Sequence, residues 1–235
     1  MAGELFATLI AGWGVGLAGR SGTYTPCSMS DLSFPLAPDL AGQLASALDV
    51  EGKILRGLEA LGPVAGRDVL LVDAAGSRVA SGLAELGARV VHSADAAPFR
   101  ADLPDSSVDV VISLWSGFRG VDPVDVAEAD RVLRPDGLLL VVHDYGRDDV
   151  SRLQSERPEY GEWSHRNGPF LTGGFRVRVL HCFWTFPSQD ETSTFLEAAF
   201  GDIGRDVAAS LKRPRLSYNV AIYYRPRGGY IRPVG

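Results

Sequence analysis

Residues 102–111 read DLPDSSVDVV and residues 128–141 read EADRVLRPDGLLLV, and these two stretches decide the fold. In the first, a polar loop leads into a run of branched apolar residues, which is typical of a strand buried on both faces. In the second, a helical pattern is stopped by Pro135 and Gly137 directly before another apolar run. Helices that turn sharply into buried strands indicate a parallel sheet with helical crossovers.

The same alternation extends to both sides of these stretches. Apolar residues at three- and four-residue spacing predict two short helices between 38 and 61, closed by Gly62-Pro63. The other predicted elements are, in chain order, a strand at 68–73, a helix at 77–86, strands at 89–93 and 108–114, a helix at 124–133, strands at 138–143 and 175–186, a helix at 192–200 and a strand at 219–224. The order predicts a Rossmann-like, doubly wound α/β fold, with a mostly parallel sheet and helices on both faces.

Composition limits the classes of function. The chain has 235 residues and a net charge of -6, so we expect no nucleic-acid partner, which would require a concentrated basic surface. Cys27 and Cys182 are its only cysteines, which supports neither a disulfide framework nor a zinc site and favours a reduced, cytoplasmic setting. The apolar run at 5–18 is too short to cross a membrane, so we expect no membrane partner.

The chain divides into three parts. Residues 1–28 differ in sequence character from the rest. Because Met29 resembles a natural start, they are interpreted as an extension foreign to the native protein; the alternative is a loosely attached helix. Residues 29–225 form one domain. Residues 226–235 form a basic tail, and we expect the arginines there and the adjoining Arg225 to be solvated.

The two opening stretches resemble the class I S-adenosylmethionine-dependent methyltransferases. The first is similar to the family's D-x-LP-x-D-x-S-F-D-V-V pattern before its fourth strand, and the second to its E-x-x-R-V-L-x-P-G-G pattern before its fifth. The resemblance is good over about residues 66–145. It implies the fold more firmly than the activity, since the second pattern is a fold signature that stops a helix before a buried strand and is not catalytic.

The family's first strand ends in an acid followed by a glycine-rich turn, which lets the backbone approach the cofactor. Here that turn is degenerate. One register places Asp73, Ala75 and Ser77 at the three glycines; a shift of two places Asp73 at the acid and leaves Gly76 as the turn's glycine. The resemblance therefore implies cofactor contacts from these four residues, and the alternative is that they only form a tight strand-to-helix turn.

Three more residues are cofactor candidates by resemblance. Asp95 follows the second strand near the place of the family's ribose-binding acid, Asp102 lies where the adenine amino group is met, and Trp115 follows the fourth family strand. The alternatives are that Asp95 is an exposed loop acid, that Asp102 caps the loop, and that Trp115 is an aromatic side chain packed in the core. Only about fifteen residues separate the second strand from Asp109, where the family fits another helix and strand, so the domain is expected to be shortened.

The end of the strand at 138–143 carries the catalytic candidates His143 and Tyr145. A neutral histidine there suits a general base acting on a hydroxyl or amine. Trp163 and His165, in the following polar segment, suggest a lid that excludes water, the alternative being a surface loop.

Two functions follow. The first is a methyltransferase that uses S-adenosylmethionine on a small molecule and mainly aligns the two reactants. The second is a methyltransferase-like pseudoenzyme that has lost the cofactor and serves as a partner-binding or scaffolding subunit. A homodimer is a further expectation.

Overall fold

The computed structural model describes residues 34–72, 77–93, 99–154 and 159–229. Its strands are β1 (Asp68–Val72), β2 (Arg89–Ser93), β3 (Val108–Leu114), β4 (Leu133–Asp144), β5 (Arg176–Thr185) and β6 (Arg215–Pro226). Its α-helices are α1 (Pro38–Ala47), α2 (Lys53–Leu61), α3 (Arg78–Glu85), α4 (Pro123–Val132), α5 (Glu159–Trp163), α6 (Pro169–Thr172) and α7 (Gln189–Ser210). A short 3-10 helix lies at Val150–Leu153. The proposed extension at 1–28 lies outside the described residues.

The strands form a single six-stranded sheet in the order β2-β1-β3-β4-β6-β5. The first four run parallel to their neighbours, whereas β6 pairs antiparallel with both β4 and β5. The predicted mostly parallel Rossmann-like fold is therefore confirmed. Loop residues 99–107 lead directly into β3, and β2 stands at the end of the strand order, as expected of the shortened form.

The sheet separates two apolar cores. Alternate residues of β4 point to opposite faces: Leu140 and Val142 pack with α1, α2, α3 and α7, and Leu139 and Val141 pack with the side that carries α4, α5 and α6. Helices thus cover both faces. This burial explains why β3 and β4 are almost continuously hydrophobic.

The predicted bounds of β2 and β3 are exact, but three elements are longer than predicted. Helix α7 runs to Ser210 because a kink at Gly201, with φ of 61°, joins two helical segments. Strand β4 begins at Leu133, since the Pro135 and Gly137 segment remains extended after α4 ends. Strand β6 extends to Pro226 because it pairs with β4 and β5 together.

The expectation of a solvated Arg225 is wrong. Its side chain is 2% exposed, it donates to Asp130 at 2.7 Å, and its guanidinium lies over the Phe175 ring. The start of the predicted tail is also attached, because Arg227 donates its backbone N–H to Gly137. Arginine is suited to such burial because its planar group pairs with a carboxylate and stacks on an aromatic ring at once.

Across the described ranges, no helix combines the length and apolar character needed to cross a membrane.

Candidate functional site

The carboxyl ends of β3 and β4 meet in a buried polar network centred on Asp144. Its carboxylate accepts hydrogen bonds from Trp115 Nε1 at 2.9 Å, from Gln154 Nε2 at 3.0 Å and from the hydroxyl of Tyr218. Asp144 is 3% exposed, so these bonds replace the water that a carboxylate loses on burial. The network joins β3, β4, β6 and the 3-10 segment at the edge where ligands bind in open α/β sheets.

A cleft of about 210 Å³ opens beside this network. Its ten lining residues come from the end of β4, the 3-10 segment, α5 and β6: Asp144, Tyr145, Gly146, Arg147, Asp148, Val150, Ser151, Gln154, Gly161 and Tyr218. Gly161 has no other atom within 4 Å of the place where a Cβ would stand, so α5 borders the cleft without filling it.

Hydrogen bonds fix the loop that forms the cleft's outer wall. Asp148 accepts from the backbone N–H groups of Ser151 and Asn219, and Asp149 accepts from the backbone and hydroxyl of Ser217. Burial raises the pKa of Asp148, and these hydrogen bonds oppose the shift. The wall is therefore anchored to β6 rather than free to move.

His143 lies on the opposite face of β4 from Asp144 and is completely buried. Its ring packs against Trp163 at 4.7 Å and Phe170 at 5.8 Å between centroids. Neither ring nitrogen has a hydrogen-bond partner among the described residues. Burial, with a smaller effect of the Arg119 charge, lowers the pKa of His143 to about 3; the nearby backbone of Gly117 opposes the shift without completing a hydrogen bond.

Tyr145 lies one residue past β4, on the same side as His143. It is half-buried and packs against the core that contains His143's neighbours Trp163 and Phe170. The Arg147 guanidinium lies 5.8 Å from the centre of its ring. Tyr145 also lines the cleft, so it stands between the open space and the buried histidine.

Ser77 is the one residue of the degenerate turn that the structure describes. Its hydroxyl accepts the backbone N–H of Ala80 at 2.9 Å and thereby caps the start of α3. That N–H belongs to the set that a ligand anion would use at a helix N-terminus. Asp73, Ala75, Gly76 and Asp95 lie outside the described residues.

A second, smaller pocket of about 100 Å³ adjoins the start of α3. Trp115 and Arg78 are among its lining residues, together with Asp49 from the turn between α1 and α2. Arg78 also holds that turn in place through bonds to the carbonyls of Ala45 and Leu48. The pocket therefore lies between the segments that follow β1 and β3. Its charged lining residues are Arg78 and Asp49, and the buried Asp49 carboxylate accepts the backbone N–H groups of Lys53 and Ile54 at the start of α2.

Asp102 is exposed and is not among the residues that line either pocket. The loop cap proposed as its alternative role is supplied by α4 instead, where Asp125 accepts from Phe99 N–H and Glu128 from Ala101 N–H.

Sequence reasoning missed Asp144, Gln154 and Tyr218 as site residues. Asp144 had a signal, because it ends a buried strand at the ligand edge between two residues that were singled out. No sequence signal marked Tyr218 and Gln154, because their contacts with Asp144 depend on how β6 and the 3-10 segment pack.

The strand order and the helices on both faces define a Rossmann-like α/β fold with a mostly parallel sheet. Among solved structures, the chain is similar to a SAM-dependent methyltransferase from Aquifex aeolicus, with 16% identity and a TM-score of 0.44 over 86% of this chain and 98% of that one. It is also similar to a protein from Anaeromyxobacter dehalogenans provisionally named a type II methyltransferase, with 20% identity and a TM-score of 0.46 over 77% and 97%. No family model and no curated protein matches the sequence.

Proposed function

We propose that the protein is an S-adenosylmethionine-dependent methyltransferase acting on a small molecule. The observation that carries the proposal is the pairing of two pockets at one edge of the sheet, one beside Trp115 and one beside Tyr145, linked through the bond from Trp115 to Asp144. A methyl donor and an acceptor must be held side by side, and adjacent sites on a rigid edge provide that alignment.

The pocket beside Trp115 fits the amino-acid end of the cofactor. Arg78 supplies a cation for its carboxylate, and Asp49, whose carboxylate also accepts two backbone N–H groups of α2, supplies negative charge for its ammonium group. Asp73, Ala75 and Gly76 would hold the same end, and Asp95 and Asp102 the ribose and adenine. When bound, the cofactor supplies a methyl group on a sulfonium, which is activated for direct displacement.

The cleft beside Tyr145 is the proposed acceptor site. Its volume of about 210 Å³ suits a small molecule and not a macromolecule. His143 and Tyr145 remain the catalytic candidates there, with a ring nitrogen of His143 accepting the proton that the acceptor loses. Because Trp163 and Phe170 cover His143, this role requires that α5 and α6 move when the acceptor binds.

A thermal shift experiment tests cofactor binding. S-adenosylhomocysteine at a hundred times its Kd should raise Tm by about 5–10 °C, since mass action then adds about 2.7 kcal/mol. Asp95→Asn and Arg78→Gln should reduce the shift, and Asp39→Asn, on the exposed start of α1, should not. No shift at any concentration of S-adenosylmethionine or S-adenosylhomocysteine would reject the proposal.

One observation favours the second candidate, a cofactor-free subunit that binds a partner protein. Ser77 places a side chain where the family has a glycine and uses it to occupy a first-turn N–H of α3. In that case the turn has become a structural cap. The pseudoenzyme predicts no thermal shift with either nucleoside, whereas the methyltransferase predicts one.

A further inference from the structure

Within the described part of the chain, two polar side chains on one face of the sheet, beneath α5 and α6, are buried without hydrogen-bond partners. They are His143, through both ring nitrogens, and Tyr223, through its hydroxyl. Both residues are completely buried. Leaving a buried donor or acceptor unpaired costs about 1–3 kcal/mol, so two such groups side by side call for an explanation in function.

The strand register brings these two side chains together. His143 pairs with Ala221 and Val141 pairs with Tyr223, so His143 and Tyr223 are diagonal neighbours on adjacent strands. Phe170 contacts both: its ring is stacked on Tyr223 at 3.8 Å with planes 13° apart, and lies 5.8 Å from the His143 ring. The Phe170 ring therefore packs against the rings of both residues.

The two helices that cover His143 and Tyr223, α5 and α6, are short. Helix α5 has five residues and α6 has four, and they pack on the sheet through Trp163 and Phe170. Gly168 allows the tight turn between them, since a Cβ there would stand 2.2 Å from the carbonyl of Glu162. Short helices with few apolar anchors belong to the part of a fold that opens most easily.

The cleft and the buried pair lie on two sides of the same helix. Gly161 of α5 lines the cleft, and Trp163, two residues later, covers His143. Tyr145 lines the cleft and packs into the core on the His143 side of the sheet. A movement of α5 and α6 away from the sheet would therefore extend the cleft to His143 and Tyr223.

We propose that the space filled by Phe170 is the binding site of an aromatic acceptor that carries a hydroxyl group. The acceptor's ring takes the place of the Phe170 ring against Tyr223, and its hydroxyl pairs with a nitrogen of His143 and with the Tyr223 hydroxyl. The preference for a flat ring follows from the stacked Phe170–Tyr223 geometry. The preference for a hydroxyl follows from the two unpaired groups, because a site built to hydrogen-bond a ligand discriminates strongly against one that lacks the bond.

This inference rests on the proposed function for its biological meaning, but its test needs no cofactor. The probe is 4-methylphenol, with toluene and 4-methylcyclohexanol as matched compounds that lack the hydroxyl or the flat ring. Binding is followed on wild-type protein through the imidazole signals in long-range ¹H–¹⁵N spectra, which contain only four histidines. Loss of signals in His143→Phe assigns those of His143, and calorimetry gives the affinities of all variants.

We expect 4-methylphenol to shift both ring nitrogens of His143 saturably, and 4-methylcyclohexanol to bind several-fold more weakly. His143→Phe and Tyr223→Phe should each weaken 4-methylphenol by roughly fivefold to tenfold through loss of one hydrogen bond, without weakening toluene. Phe170→Ala should tighten both aromatic probes while keeping the preference for the phenol. His92→Phe, on the exposed strand β2, should change nothing.

The proposal fails if the His143 signals of wild-type protein do not respond to 4-methylphenol. It also fails if His143→Phe binds the phenol as tightly as wild type, or if Phe170→Ala binds toluene and the phenol equally. Failure of S-adenosylhomocysteine to bind would reject the methyltransferase proposal. It would not affect the proposed binding site, which the 4-methylphenol measurements test independently.

Discussion

Arg131 donates from Nη1 to the carboxylate of Asp105 at 2.7 Å and to the carbonyl of Leu103 at 2.8 Å. Glu128, one turn earlier in α4, accepts two hydrogen bonds from Arg131 and one from the backbone of Ala101. Hydrogen bonds from Arg131 hold the pKa of Glu128 down at about 2. The two stretches that decide the fold are therefore joined by one clamp between α4 and the loop before β3.

Replacing Arg131 with methionine should lower the free energy of unfolding by about 2 kcal/mol, because Glu128 then stays mostly buried without its cation. The wild-type stabilisation from Glu128 should be present at neutral pH and be lost as the pH falls from about 4.5 toward 2, since the folded carboxyl has the lower pKa. Urea titrations at several pH values measure both effects. Arg152→Met, at a half-exposed site, is the control and should change little. An Arg131→Met protein as stable as wild type would show that the clamp contributes nothing.

His143→Phe should stabilise the protein by about 1–2 kcal/mol at neutral pH, because an apolar ring of similar shape replaces two unpaired nitrogens. The stability of His143→Phe relative to wild type should increase further at acidic pH. The pKa of folded His143 is near 3, below the value of the unfolded chain, so the unfolded state takes up the proton and wild-type stability falls as the pH drops below about 6.5. Between pH 6.5 and 5 this amounts to about 2 kcal/mol.

Thermal and urea unfolding of His143→Phe at pH 7 and pH 5 checks that prediction, with His92→Phe as the matched change at an exposed site. Equal pH dependence in wild type and His143→Phe would contradict the prediction, because it would mean that the pKa of His143 is the same in the folded and unfolded states.

Asp144→Asn should destabilise the protein by about 2–3 kcal/mol, because the amide nitrogen would face donors now bonded to carboxylate oxygens. These donors are Trp115, Gln154 and Tyr218. The tryptophan fluorescence of the protein should change, because Trp115 loses its bond to the carboxylate. Asp136→Asn, at an exposed position within the first part of β4, should leave both stability and fluorescence unaltered. An unchanged midpoint of the unfolding transition in Asp144→Asn would show that the hydrogen bonds to the Asp144 carboxylate do not stabilise the fold.

Substitutions at Ser77 distinguish a helix-capping role from a cofactor-binding role. Ser77→Ala should cost about 1 kcal/mol of stability through loss of the α3 cap, whereas Ser77→Gly should cost only a few tenths. If the turn also holds the cofactor, Ser77→Gly should bind S-adenosylhomocysteine at least as tightly as wild type, since it restores the family's residue. Weaker binding by Ser77→Gly would indicate that the serine side chain is itself a ligand.

The sequence predicted the sheet more fully than the site. Strands such as Val108–Leu114 are buried on both faces, so their apolar runs indicate them without ambiguity. The motif residues Glu128 and Arg131 bond to the loop before β3, and this structural role explains their use as fold markers. The burial of Arg225 was not predictable, because its partners Asp130 and Phe175 are distant in the chain. For the same reason the Asp144 network and the covered His143–Tyr223 pair required the structure: both depend on the antiparallel return of β6.

Calorimetric titration of the wild-type protein with S-adenosylmethionine tests the central claim most directly. The account predicts saturable binding at one site per chain, competed by S-adenosylhomocysteine and weakened by Asp95→Asn. No heat and no competition at millimolar ligand, in protein shown by its unfolding transition to be folded, would contradict it and favour the partner-binding subunit.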